Sequence, residues 1–268
     1  AAEIKRLKVT RAHIVGGSAA VGDGAVQGLA DIGVTIAGRY SGDNRFATAR
    51  EIYLGNDGWG SLAIIASGAN FADACSVAPI AFSEKAPLFL VDANGKLDDE
   101  TKMLIASGGF ATLLIIGGTI AVSEEVEEWA NGLGYSQVVT GEADNEDFGE
   151  VDAAAASDAP SPMANPLTVA RNATPPAVVR IAGSDRYQTS AALANWAIGN
   201  LGYTREGMAV ATGSNFPDAL CGGYMQGKRK SVLLLSDTGH EDSCATVTDS
   251  AADKLQTLVY LGGESALD

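Results

Sequence analysis

Short apolar runs recur along the chain, each closed by glycine or a polar turn. Leu62-Ala63-Ile64-Ile65-Ala66, residues 112–116 and residues 231–235 are too short for stable helices and too continuous for strands with one wet face. Their length and β-branched content fit strands buried on both faces. Similar runs place strands near 11–15, 34–38, 62–66, 87–91, 112–116, 137–140, 178–182, 208–212, 231–235 and 257–261. Stretches with helical spacing lie between them, at 21–32, 45–54, 73–83, 98–107, 122–133, 186–199, 217–227 and 246–255. Ser123 followed by Glu124 and Glu125 suits a helix start, because a hydroxyl caps free N–H groups and carboxylates favour the positive end of the dipole. Strand and helix alternate throughout. The expected fold is α/β, with mostly parallel sheets covered on both faces.

The pattern also repeats. A strand-like run ends in Gly-Gly three times, at Gly16-Gly17, Gly117-Gly118 and Gly262-Gly263. The stretch Arg39-Tyr40-Ser41-Gly42-Asp43-Asn44-Arg45-Phe46 returns as Arg180-Ile181-Ala182-Gly183-Ser184-Asp185-Arg186-Tyr187. Ser67-Gly68-Ala69-Asn70-Phe71-Ala72-Asp73-Ala74 returns as Thr212-Gly213-Ser214-Asn215-Phe216-Pro217-Asp218-Ala219. Gly17 and Gly118 are 101 residues apart, while the later matches are offset by 141 to 145. The excess lies between Gly141 and Ala177, which holds five prolines, an alanine run and seven acids without a base between Glu142 and Asp158. That composition describes a solvated insert or linker. The chain thus divides into the end of a first repeat (1–38), a second repeat (39–140), an acidic insert (141–177) and a third repeat (178–268), with repeats of about 100 residues. The chain opens part-way through a repeat and closes just after the third Gly-Gly, so two expectations stand: the sequence is a fragment of a longer protein, or the first strand and helix complete the last unit in space.

Composition narrows the functions. Of 268 residues, 46% are hydrophobic and 19% charged, a globular mixture. The net charge of −15 opposes bulk capture of nucleic acid or of an anionic membrane. No apolar run approaches the roughly 18 residues of a membrane span, so no membrane insertion is expected. The three cysteines, Cys75, Cys221 and Cys244, have no zinc spacing. Cys221 and Cys244 fall where a disulfide could join them, whereas Cys75 aligns with Leu220 and reads as buried. Only two histidines exist, His13 and His240, and neither recurs beside a nucleophile. A run resembling a phosphate loop, Gly222 to Lys228, ends in Arg229 and precedes a strand rather than following one, so it is rejected. No catalytic residue, cofactor or metal site is expected.

Each repeated motif begins where a strand ends. In parallel α/β architecture these loops gather on one edge, where ligands bind. The candidate ligand-binding residues are therefore Arg45, Asn70, Asp73, Arg186, Asn215 and Asp218. Arginine forks and helix N-termini suit anionic or hydroxyl-rich groups. Each residue also has a purely structural reading. Asp73 and Asp218 sit in helical first turns, Asn70 and Asn215 can close Asx-turns, and Arg45 and Arg186 can pair with Asp73 and Asp218 inside their own repeats. Gly68 and Gly213 can serve tight strand-to-helix turns, and Phe46, Phe71, Tyr187 and Phe216 read as core.

Taken together, these blocks resemble the cell wall-binding repeat 2 family of Gram-positive surface proteins. The resemblance covers nearly the whole chain outside the insert. It implies tandem Rossmann-like or toprim-like modules, usually three about a pseudo-threefold axis. It also implies non-covalent anchoring of a secreted protein to a cell wall polymer, in some species an anionic one, with any catalysis in a separate domain. The chain departs from the pattern at Ala72, where Pro217 keeps the usual proline, and at Asn44, where Asp185 keeps the usual acid. A wall-binding module is the leading expectation. A nucleotide- or sugar-processing enzyme and a self-assembling surface-layer fragment are the alternatives.

Overall fold

The continuous apolar runs at 62–66 and 112–116 become the two inner strands of a four-stranded parallel sheet, and the run at 231–235 becomes an edge strand of a three-stranded one. The structure is a computed structural model that describes residues 2–133, 177–215, 217–248, 255 and 257–263. In chain order its elements are α1 (Ala2–Arg6), β1 (Arg11–Val15), α2 (Asp23–Ala30), β2 (Thr35–Tyr40), α3 (Arg45–Leu54), β3 (Leu62–Ser67), α4 (Ala72–Ser76), α5 (Ala78–Ser83), β4 (Leu88–Val91) and α6 (Asp99–Ser107). They continue as β5 (Thr112–Ile116), α7 (Glu124–Asn131), β6 (Ala177–Ile181), α8 (Arg186–Leu201), β7 (Thr204–Thr212), α9 (Pro217–Arg229), β8 (Ser231–Ser236), α10 (Glu241–Thr248) and β9 (Leu258–Leu261). The expected strand at 137–140 and the insert up to residue 176 lie outside the described residues.

All strand pairs are parallel, in the orders β1-β2, β4-β3-β5-β6 and β8-β7-β9. β1 pairs with β2 in a sheet of its own, so among the described residues it does not complete the last unit. Sequence repeat and sheet are out of phase. The strand carrying Arg180 closes the middle sheet against β5, while the helix that follows it, α8, packs on the third sheet at β8. In the same way Arg39 lies on β2, and α3 packs on β4 of the middle sheet.

The middle sheet is buried on both faces, as an unbroken apolar run requires. Leu62, Ile64, Ala66, Leu114 and Ile116 face a core that continues through Val77 and Ile80 to Leu193, Met208 and Leu234 of the third unit. Ala63, Ile65, Leu113 and Ile115 face Ile105, Phe110, Val126 and Ala130 on the other side. Each fully buried Leu, Ile, Val, Phe or Met among them contributes about 1.5–3 kcal/mol. One core therefore binds the second and third units together. Tyr203 adds to this junction by donating its hydroxyl to the Pro79 carbonyl at 3.0 Å, and its burial pushes the phenol up to about 12. Lys230 meets Glu84 across the same junction at 3.2 Å.

Two local departures from expectation have clear causes. The helix expected at 73–83 breaks at Val77 into α4 and α5. Pro79 has no N–H to give to the Cys75 carbonyl, so the helical ladder cannot run through. Tyr224 holds the matching place in α9, which is continuous. The helix expected at 246–255 is found at Glu241–Thr248. No disulfide forms among the cysteines: Cys75 is buried, Cys221 is exposed on α9, and the Cys244 sulfur lies 3.9 Å from the Leu235 carbonyl. One repeat signal was not legible in the chain. Lys85 and Lys230 both take a left-handed backbone, φ 49° and 50°, in the turn that enters β4 and β8.

α5 and α9 approach closely because α9 presents glycine to its neighbour. A β-carbon at Gly223 would stand 2.5 Å from that of Ala78, and one at Gly227 would stand 2.6 Å from the Pro79 carbonyl oxygen. Gly223→Val should force these helices apart and cost about 1–3 kcal/mol. Urea unfolding reads the loss directly, and an unshifted midpoint would mean that the helices do not touch there.

Candidate functional site

The Gly-Gly turns have a simple backbone cause. The first glycine of each, Gly16, Gly117 and Gly262, sits at positive φ of 108°, 106° and 130°, where a side chain is strained. The second is different: nothing lies within 4 Å of a β-carbon placed on Gly118. The first two turns are held from behind by the strand beside them. Gly16 N–H donates to the Tyr40 carbonyl at 2.8 Å, and Gly117 N–H to the Ile181 carbonyl at 2.9 Å.

Arg39 and Arg180, which the sequence marks only as motif residues, clamp those turns. Arg39 donates to the Gly16 and Val21 carbonyls at 2.6 and 3.1 Å. Arg180 donates to Gly117 and Val122 at 2.9 Å each and to Ser123 at 3.3 Å, with its Nε on Glu127 at 2.6 Å. A planar guanidinium suits such convergent acceptors.

The next segment is built identically in both copies. Gly42 and Gly183 leave room for the first turn of α3 and α8, and their N–H groups donate to Thr48 and Thr189 hydroxyls at 3.1 and 3.0 Å. Asn44 caps α3 by accepting from Ala47 N–H at 2.9 Å, and Asp185 caps α8 by accepting from Gln188 N–H at 2.8 Å. Either residue type serves as a cap, so the change of acid to amide at Asn44 leaves the geometry intact. Phe46 and Tyr187 then pack over Gly68 and Gly213, where a β-carbon would collide with their rings.

Arg45 and Arg186 do not pair with the aspartates of their own repeats. Arg45 donates to the Gly68 carbonyl at 2.5 Å, and Arg186 to the Gly213 carbonyl at 2.7 Å. Each ties the start of its helix to the next strand-to-helix turn. Arg186 also lies 5.7 Å from the centre of the Phe71 ring and faces Asp73, both from the preceding repeat.

These contacts gather three loop types at the C-terminal ends of β3, β5 and β6. They enclose an open cleft of about 620 Å³, lined by Asn70, Asp73, Thr119, Ser184, Asp185 and Arg186 among others. Asn70 accepts from Ala72 N–H at 3.2 Å, a bond that proline at 72 could not make. The Asp73 carboxylate rests against Gly117, where a β-carbon would stand 2.6 Å from its oxygen. Burial pushes the Asp73 carboxyl above its ordinary value, and the Arg186 guanidinium opposes that shift. Arg186 is half-buried and Asn70 exposed.

The other candidates stand elsewhere. Arg45 is exposed and lines a groove of about 790 Å³ together with Gly16, Gly17 and Asn44, over an apolar floor that includes Ile52 and Leu88. Exposed Asn215 and half-buried Asp218 belong to the strand-to-helix turn of the third unit. Phe216 lies outside the described residues. The cleft therefore unites Asn70, Asp73 and Arg186, and adds Thr119, Ser184 and Asp185. The repeat alone did not single out Thr119, because it follows the Gly-Gly turn without a conspicuous chemistry.

Parallel α/β units whose repeated loops meet on one rim define a tandem binding-repeat architecture. Residues 39–127 and 180–268, more than half of the chain, each match cell wall binding domain 2 (CWB2), and the chain belongs to that family. It is 37% identical over 98 residues to N-acetylmuramoyl-L-alanine amidase LytC of Bacillus subtilis (strain 168), a match covering 37% of this chain and 20% of that protein. Two solved structures share the fold. Cwp8 from Clostridium difficile aligns with a TM-score of 0.66 at 22% identity over 97% of this chain, and Cwp6 from the same organism with 0.71 at 19% over 98%. The chain spans 37% and 35% of those two proteins.

Two outcomes follow from the geometry. Arg180→Lys keeps the charge but loses the fork, and should cost about 1.5–3 kcal/mol in chemical unfolding. Asp73→Asn should raise the thermal midpoint at pH 7, because it removes a charge that burial disfavours. In the wild type, the stabilisation from holding Asp73 protonated is complete below the unfolded value of about 3.9 and is lost as pH rises through the higher folded value. The advantage of Asp73→Asn should therefore shrink on acidification and vanish below about pH 4, a trend that melting curves across pH will read.

Proposed function

We propose that the chain is a non-catalytic anchoring module that holds a secreted protein to a cell wall polymer at the surface of a Gram-positive cell. One observation carries this reading: three different repeated loops, distant in sequence, converge on one open cleft whose walls are held by half-buried arginine clamps. A preorganised rim suits binding, since little ordering is left to be lost when a ligand arrives. Repetition of the rim suits a polymer. Linked weak sites raise avidity by roughly 10²–10⁴ when they can be engaged together. Asn70, Asp73 and Arg186 form the second-unit grip in this reading, and Asn215, Asp218 and Arg45 belong to the corresponding rims of the neighbouring units.

The likeness to LytC supports wall attachment but not amidase chemistry, since the match covers 20% of that protein. Among the described residues no group of three or more His, Cys, Asp or Glu is placed to hold a metal ion. No described helix is long and apolar enough to cross a membrane.

Gly118 offers a clean test, because it lines the cleft and has open space where its β-carbon would stand. Gly118→Phe should fill the cleft, leave the melting temperature in place and weaken sedimentation with purified Gram-positive walls by about tenfold or more, a change of about 1.4 kcal/mol. Full wall binding by this variant would remove the cleft from the mechanism.

A further inference from the structure

We propose that Asp237, which does not line the cleft between the second and third units, positions the third-unit wall of that cleft through the Tyr187 phenol, and that this brace sets how tightly the cleft holds a cell wall. This rests on the wall-binding reading above and names residues that hold its site in shape.

The wall in question is the segment Gly183 to Arg186, which lines the cleft. Arg186 donates to the Gly213 carbonyl at 2.7 Å. The Tyr187 ring lies over the same glycine, where a β-carbon would stand 2.4 Å from it. Two consecutive residues of α8 therefore grip Gly213, and the far side of the grip meets one carboxylate. Tyr187 donates its hydroxyl to Asp237 at 2.9 Å, and Thr212 donates its own at 3.3 Å. Ser214 donates to the same carboxylate. Thr212 and Ser214 flank Gly213, so the contacts close a ring through the start of α8, the turn that accepts from Arg186 and the end of β8.

The same loop sets the His240 ring on Tyr187, 4.0 Å between centroids and 21° from parallel. Its Nδ1 stands 3.8 Å from the Asp185 carboxylate of the cleft wall. Among the described residues that line the cleft, none is Tyr187, Thr212, Ser214, Asp237 or His240. These side chains act on the cleft from behind. Burial raises the Asp237 carboxyl, but the hydroxyls of Ser214, Tyr187 and Thr212 outweigh it and hold the group below its ordinary value. Burial and the facing carboxylate push the Tyr187 phenol up. One group stays an acceptor and the other a donor across the neutral range.

The second unit shows that the fold does not require this brace. It has the same bond from arginine to turn, Arg45 to the Gly68 carbonyl, and the same ring over the glycine, Phe46 over Gly68. Phe46 has no hydroxyl. Asp92 follows Val91 as Asp237 follows Ser236, the strand partners of Ser67 and Thr212. Asp92 turns to its own loop instead, accepting from Asn94 N–H at 2.9 Å and Lys96 N–H at 2.8 Å. Where the phenol–carboxylate bond is present, the arginine beside it lines the polar cleft. Where it is absent, the arginine lines the groove with the apolar floor. A hydrogen bond that the turn can do without, placed behind the polar cleft, marks a positioning role. Binding side chains keep their geometry only when the contacts behind them lock their rotamers.

Sedimentation of the 268-residue chain with purified Gram-positive walls tests this, with melting curves for every variant. Tyr187→Phe copies Phe46 and keeps the packing over Gly213. It should move the melting midpoint by a few degrees at most and weaken wall binding about fivefold or more, the scale of one hydrogen bond. Asp237→Asn should weaken binding at least as much. The double variant should bind no worse than the weaker single one, because both residues act through one bond. Ile105→Val, in the second-unit core and outside the cleft lining, should cost comparable stability and leave wall binding unchanged. Full wall binding by Tyr187→Phe overturns the proposal, as do additive losses in the double variant. So does equal weakening by Ile105→Val, which would make the effect one of stability alone. Failure of both single variants to fold also overturns it, since the cluster would then be core and not brace. Wild-type protein that sediments with no walls overturns the wall-binding reading itself, so the two failures are distinct.

Discussion

The whole arrangement depends on one crossing of the chain between two sheets. β6 closes the middle sheet, and a few residues later α8 covers the third sheet. The loop between them is pinned on both sides. Arg180 reaches back to the carbonyls behind the Gly-Gly turn, and Arg186 reaches forward to the Gly213 carbonyl. Units that are hinged by a short loop would normally move against one another. Here a guanidinium at each end of the loop, and a shared apolar core beneath it, fix the neighbours in register. The cleft exists because that register brings loops of two sequence repeats together.

The same contacts change what the arginines mean. Read from sequence, Arg45 and Arg186 are candidate cationic grips, and Arg39 and Arg180 are only repeated motif residues. In the structure each has a backbone carbonyl as its partner. A charged donor given to buried or half-buried carbonyls is worth about 1.5–3 kcal/mol to the fold, and little of it is left for a ligand. In the proposed binding role, the groups beside them that line the cleft, Asp73, Asn70, Thr119 and Ser184, are the ones left to meet a ligand. Asp73 is the costly member, since burial disfavours its charge. A group that weakens the fold where a ligand would sit is the usual trade between stability and function.

The first two rims are alike in motif and unlike in surroundings. The middle one is a polar cleft because Asn70 and Asp73 face the loop of Gly183 to Arg186. The first has the same Gly-Gly turn and arginine loop, yet it opens over the apolar side chains of Ile52, Leu88 and Phe82. Equal motifs therefore do not make equal sites. What stands across the gap decides the chemistry of each.

Much of this was legible along the chain. Unbroken apolar runs gave parallel strands buried on both faces, since only such strands bury every side chain, and the repeats exposed the order of the loops. Local rules also carried the turns: glycine at positive φ, Asn44 or Asp185 at a helix cap, and glycine beneath Phe46 or Tyr187. Local spacing could not say which sheet a strand joins, so the offset between sequence repeat and sheet at β2 and β6 came only from the fold. Nor could it assign partners to Arg45 and Arg186, or place Thr119 opposite Asp73. A cap or a tight turn is decided within a few residues of itself. A hydrogen bond from Arg186 to Gly213, or a cleft between Asp73 and Ser184, is decided by packing between segments that sequence distance leaves free.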